Sequence, residues 1–157
     1  MTEKEFLEAL KELNIEVTNE KLNQLNRYYE LLVEWNEKIN LTAITEKKDV
    51  YLKHFYDSLT LTKIIDLSTV STFADIGTGA GFPGIVIKIF FPDIHITLID
   101  SLNKRTDFLK LVINELKLDK IEVVTSRAEE LKTREKYEVV TARAVANLHI
   151  LLEMLVP

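Results

Sequence analysis

From Ser71 onward, short β-branched runs alternate with helical segments. "TFADI" is followed by "GIVIKIFF", "IHITLID" by "TDFLKLVINEL", "KIEVVT" by "AEELK", and "YEVVTA" by "LHILLEML". Apolar runs of this length, punctuated by helices, read as strands buried on both faces of a parallel sheet. The fold class is therefore α/β: a doubly wound, mainly parallel, Rossmann-like sheet with right-handed crossovers. Four strands are expected, the last followed by a helix of barely three turns. An open sheet ending there would leave strand four as an exposed apolar edge, which soluble proteins usually avoid. The sheet thus reads as truncated after strand four, and the chain to Pro157 as a piece of a larger domain or one whose edge something else covers.

Before Ser71 the pattern is helical. Thr2 and Glu5 have the spacing of a capping box, with Phe6, Leu10 and Leu13 following on one face. A longer helix is expected from about Thr18, carrying Leu22, Leu25, Tyr29, Leu32 and Ile39. Thr45 is the expected cap of a further helix with Val50, Phe55 and Leu59. Tyr28, Tyr29 and Trp35 read as core or inter-helix packing. The organisation expected is an N-terminal helical cap over 1–67 and an incomplete α/β domain over 68–157.

The 157 residues are 46% hydrophobic and 29% charged, enough for one core in a soluble globular chain. With no cysteine, disulfides, thiolate zinc sites and cysteine nucleophiles are excluded. Apolar runs such as Ile85–Phe91 are too short to span a bilayer, and the acidic, amphipathic N-terminus is unlike a signal peptide. A cytoplasmic location fits. The net charge of −5 gives no general attraction to nucleic acid, so a nucleic-acid partner needs a local basic patch.

The loop "DIGTGAGFPG" (Asp75–Gly84) joins the first strand to the next helix, expected near Pro83. In a parallel sheet this is where ligands sit, at the switch point. Glycine permits positive φ and close approach to the backbone, and amides at a helix start suit a carboxylate or phosphate. The spacing of Gly77, Gly79 and Gly81 is G-x-G-x-G, not the G-x-G-x-x-G of dinucleotide sites. Asp75 would face a pyrophosphate unfavourably, whereas it suits a cationic ammonium. S-adenosylmethionine combines an ammonium, a carboxylate and a sulfonium. Asp100 ends the second strand 19 positions after Gly81, where a carboxylate can accept both ribose hydroxyls. The bland alternatives are that Asp75 caps the loop and that Asp100 is an exposed strand-end acid.

The turn after strand three, "TSRAEEL", borders the adenine in this architecture, so the Ala128 amide and Glu129 are candidates to read its edge. Glu129 is otherwise a helix-surface residue. Arg143, in "TARAV" at the end of strand four, faces either the ligand carboxylate, a substrate phosphate or a neighbouring acid.

In their order along the chain, six stretches resemble the class I S-adenosylmethionine-dependent methyltransferases. Within that class they are most similar to the methyltransferase G family of the bacterial small ribosomal subunit, also called glucose-inhibited division protein B. The stretches are "WNEKINLT" (Trp35–Thr42), "KHFYDSL" (Lys53–Leu59), "DIGTGAGFPG", "DSLNKR" (Asp100–Arg105), "SRAEEL" (Ser126–Leu131) and "VVTARAVANL" (Val139–Leu148). The resemblance implies methyl transfer to N7 of a guanine in 16S ribosomal RNA, with the small ribosomal subunit as partner. It implies cofactor contacts at Gly77, Phe82, Ala128, Glu129 and Arg143. Asp75, Gly79, Gly81 and Asp100 follow from the general class I pattern. It further implies additional strands beyond Pro157 in the family.

Guanine N7 carries a lone pair and loses no proton before attack, so positioning and electrostatics replace a general base. No metal site is expected. Arg143 and His54 are the weak candidates for a catalytic part; His54, in the cap motif with Tyr56 and Asp57, reads first as structural. Lys104 and Arg105 open the helix after strand two, against the helix dipole, as an RNA-phosphate contact or a solvated basic end. His95 and His149 read as strand and helix positions. The competing readings are a class I methyltransferase of a small molecule or protein, and a non-catalytic cofactor- or RNA-binding module. A dinucleotide oxidoreductase is weakest on the glycine spacing.

Overall fold

A computed structural model describes residues 1–127, 137–144 and 147–152. Helix α1 (Glu3–Glu12) starts on the capping box: the Thr2 hydroxyl accepts from the Glu5 amide, and the Glu5 carboxylate accepts from the Thr2 amide. Helix α2 (Asn19–Ile39) is capped by Thr18 and ends at Asn40 in the left-handed region, φ 50°. Leu25, Tyr28, Leu31 and Leu32 form its buried stripe. The third helical segment differs from expectation at its start. Helix α3 (Lys47–Val50) begins after Glu46 without a side-chain cap, and the Thr45 carbonyl instead accepts from the Tyr29 hydroxyl. A π-helical turn (Tyr51–Tyr56) and the short α4 (Asp57–Leu59) continue it, followed by 3₁₀ turns at Thr60–Lys63 and Leu67–Thr69.

The sheet then builds in order β3-β2-β1-β4-β5 from β1 (Thr72–Ile76), β2 (His95–Asp100), β3 (Ile121–Thr125), β4 (Val139–Ala144) and β5 (Asn147–Leu152). Helices α5 (Gly84–Phe90) and α6 (Asn103–Leu116) connect β1 to β2 and β2 to β3. The four expected strands pair in parallel, Phe73 opposite both Ile96 and Val139. At the last element the structure corrects the sequence reading. The segment expected as a helix is β5, antiparallel to β4 from Val139↔Leu152 to Ala144↔Asn147. A short apolar run such as "NLHILL" has no periodicity that separates helix from strand. The sheet is therefore not cut at strand four: β4 lies between β1 and β5, and the expected bare edge is paired. His149 is accordingly a strand position, opposite Ala142.

One apolar cluster runs from Phe6 and Leu10 of α1 through Tyr28 and Leu32 of α2 and Phe55 to Phe73, Ile96, Leu98 and Val139 of the sheet. The helical segment and the sheet thus share a core. Ala74, Ile99 and Val140 form a smaller cluster on the alternate strand positions. In the last turn of α5, Lys88 is buried at 1% exposure, and its ammonium donates to the carbonyls of Pro92, Ile94 and Lys120. Three donors matched to three carbonyls make a buried cation tolerable.

Candidate functional site

Because β1 is flanked by β2 on one side and β4 on the other, the carboxyl ends of these strands form the switch point at which ligands sit in open α/β sheets. The glycine loop starts there. The amides of Gly77 and Thr78 donate to the Ile99 carbonyl at 2.8 and 3.1 Å, which ties the loop's first half to β2. Gly77, Gly79 and Gly81 all have positive φ, at 67°, 59° and 106°. The last two are glycine for different reasons. A Cβ on Gly81 would stand 2.6 Å from the Tyr28 hydroxyl and 2.9 Å from Ile85 Cγ1, so the fold itself excludes it. A Cβ on Gly79 would meet nothing within 4 Å. At Gly79 the bare backbone lies against open space, a place where an external group can come close. That feature fits a cofactor's approach to the loop and owes nothing to internal packing.

Asp75 is fully buried. Its Oδ2 accepts from the Thr78 hydroxyl at 2.7 Å and the Gly84 amide at 2.9 Å, and its Oδ1 from the Thr141 hydroxyl at 2.9 Å. The carboxylate therefore ties β1, the loop, the start of α5 and β4 together. Of the amides at that helix start, which the sequence offered to a ligand, Gly84's is taken by Asp75. Pro83 sits just ahead of the helix, at its cap.

Asp100 is 3% exposed and not the solvent-facing strand-end acid of the bland alternative. Its Oδ2 accepts from the Gly79 amide at 2.9 Å and its Oδ1 from the Leu102 amide at 3.0 Å. A carboxylate has about four lone-pair sites, so two further hydroxyls can still be accepted. Arg105 Nη1 lies 3.7 Å from Asp100 Oδ2. The sequence reading offered Arg105 to phosphate or solvent; its half-exposed guanidinium also lies within ion-pair reach of the acid that holds the loop. Lys104 is exposed.

The cap closes on the loop's second half. His54 stacks on Phe82 with ring centroids 4.3 Å apart and planes 9° from parallel. Its Nε2 lies 2.8 Å from the Thr42 hydroxyl, and the Thr42 amide donates to Asn36 Oδ1 at 2.7 Å. Phe82 is buried against Tyr28 and Phe55, and the Tyr28 hydroxyl donates to the Ala80 carbonyl. Thus "WNEKINLT", "KHFYDSL" and "DIGTGAGFPG" meet in space. Tyr28 is core, as its place in the helix stripe predicts, but its contact with the loop was not foreseen. A tyrosine in a core stripe gives no sign that its hydroxyl reaches a loop 52 residues away. Thr78 and Thr141, the partners of Asp75, were equally silent.

Ala128 and Glu129 lie outside the described residues. Arg143 is in β4 opposite Leu148, and its side chain too lies outside what is described. Among the described residues no cluster of three or more His, Cys, Asp or Glu side chains is disposed to hold a metal ion, and no helix is long and apolar enough to cross a membrane.

Comparison with known proteins agrees with this geometry. A family profile described as GidB, rRNA small subunit methyltransferase G, matches residues 21–157. A protein of Lysinibacillus sphaericus named ribosomal RNA small subunit methyltransferase G is 53% identical over the whole of this chain, which covers 68% of that protein. Its namesakes in Bacillus subtilis and Leuconostoc mesenteroides are 50% and 52% identical over the whole chain, covering 67% and 68% of theirs. The chain thus spans about two thirds of the length of these relatives. With a family profile over most of its length and half its residues shared with such proteins, the chain belongs to the rRNA small subunit methyltransferase G family.

Proposed function

We propose that this protein transfers a methyl group from S-adenosylmethionine to N7 of a guanine in 16S ribosomal RNA, working in the cytoplasm on the small ribosomal subunit or its RNA. The observation that carries the cofactor reading is the pairing of Gly79, whose backbone faces open space, with the buried Asp100 that holds its amide. The family relationship supports the RNA substrate. We assign 1–67 as the cap and 68–157 as the cofactor-binding part.

When bound, S-adenosylmethionine supplies a methyl carbon made electrophilic by its sulfonium. The chain's own residues bind and orient. Gly77, Gly79 and Gly81 present backbone to the methionine end, Asp100 accepts from the ribose hydroxyls, and Asp75 acts through the loop it caps. Phe82 walls the site from the cap side. Ala128 and Glu129 are assigned to the adenine edge and Arg143 to the carboxylate or a phosphate. Guanine N7 has a free lone pair, so no residue need take a proton, and holding base and donor in line supplies much of the rate. His54, stacked on Phe82 and hydrogen-bonded to Thr42, is assigned to positioning.

The test is transfer of labelled methyl to small subunits that lack the modification. Label at N7 of guanine in 16S RNA is expected. Unlabelled RNA beside active turnover on a small molecule or protein would overturn the substrate assignment.

A further inference from the structure

We propose that Tyr28 is a positioning residue for the methyl-donor site, setting the shape of the glycine loop from the helical cap. The inference rests on the cofactor reading above and adds a residue to it.

The loop is held from two sides. The sheet holds its first half, through Gly77 and Thr78 on the Ile99 carbonyl and Gly79 on Asp100. The peptide between Ala80 and Gly81 is different. Its N–H, on Gly81, donates to the Thr78 carbonyl at 2.9 Å within the loop. Its C=O, on Ala80, accepts from Tyr28, which is fully buried in the middle of α2. A peptide beside a glycine turns over easily, because glycine accepts φ of either sign. Here Gly81 is held at φ 106°, and turning the peptide would break both hydrogen bonds. The Tyr28 hydroxyl also fills the space where a Cβ on Gly81 would stand, 2.6 Å from that position. The tyrosine therefore fixes the carbonyl direction and explains the glycine beside it. Gly79, the residue open to an external group, is separated from this peptide by Ala80 alone, so the restraint acts on the residue next to it.

Tyr28→Phe keeps the ring and removes the hydroxyl. Losing a buried hydrogen bond that holds a binding loop should weaken S-adenosylhomocysteine binding about five- to tenfold, measured by calorimetry well below the unfolding transition. The control is Leu10→Ala in α1, a core residue away from the loop. It should lower Tm and leave the affinity of the folded protein unchanged. The second readout needs no ligand: by NMR, exchange of the Gly81 amide should quicken about fivefold in Tyr28→Phe and stay unchanged in Leu10→Ala at matched distance below Tm. Unchanged Gly81 exchange in Tyr28→Phe would overturn the proposal, as would equal loss of affinity in both variants. If the folded wild-type protein fails to bind S-adenosylhomocysteine, the cofactor reading falls, and the exchange measurement still decides whether Tyr28 sets the loop.

Discussion

Two glycines of one loop should answer differently to the same substitution. In Gly81→Ala the new methyl would meet the Tyr28 hydroxyl at 2.6 Å and Ile85 at 2.9 Å, at φ 106°. Both neighbours are buried and cannot swing into solvent. Backbone strain of about 1–3 kcal/mol adds to an overpacking cost of about 1–3 kcal/mol, or roughly 4 kcal/mol together. In Gly79→Ala the methyl meets nothing within 4 Å, and φ is 59°. That is the left-handed region, at a cost of about 1–2 kcal/mol. For a chain of this size each kcal/mol moves Tm by roughly 2–4 °C, so Gly81→Ala should melt about 10 °C below wild type and Gly79→Ala about 4 °C below. Binding should run the other way for the milder variant. Gly79→Ala should stay folded at 25 °C yet puts a methyl into the open space assigned to the cofactor, so S-adenosylhomocysteine affinity should fall more than tenfold. Thermal melts and calorimetry on the two proteins check both halves. Equal destabilisation by the two substitutions, or a Gly79→Ala protein that binds like wild type, would refute the reasoning.

Lys88→Met leaves the carbonyls of Pro92, Ile94 and Lys120 without their buried donor, and chemical denaturation should show a loss of about 2–4 kcal/mol. Burial pushes the Lys88 ammonium down to about 8, with Asp119 and Asp93 opposing the shift. Between pH 8 and 10 the unfolded chain binds this proton more tightly than the folded one. Wild-type stability should therefore rise over that window relative to Lys88→Met, by at most about 1.4 kcal/mol per pH unit, and parallel curves for the two proteins would contradict the assignment. Asp75→Asn replaces one of two accepting oxygens by a donor among Thr78, Gly84 and Thr141, and should cost about 2–4 kcal/mol in the same assay.

How much of this was legible in the sequence depends on the range of the interaction. Capping boxes and helix stripes are local, and Thr2, Glu5 and Thr18 act as their spacing predicts. The parallel strands were visible because buried runs separated by helices permit few other arrangements. "NLHILL" was misread because four apolar residues in a run of six fit either period, and only pairing with β4 decides between them. At the candidate site, Asp75, Asp100 and the glycines were singled out from motif position. Their partners were not: Thr141 reaches Asp75 across 66 residues, and Tyr28 reaches Ala80 across 52. The ion pair of Arg105 with Asp100 was not foreseen, because it requires the turn at Ser101 and Leu102 to be folded.

The central claim is that the glycine loop and Asp100 together bind the methyl donor. It is tested most directly by titrating S-adenosylhomocysteine into the protein by calorimetry, with a dinucleotide as control and Asp100→Ala alongside. Saturable binding of S-adenosylhomocysteine alone is expected, lost in Asp100→Ala while that variant remains folded. No binding to a folded wild-type chain, or binding that survives the loss of Asp100, would contradict it.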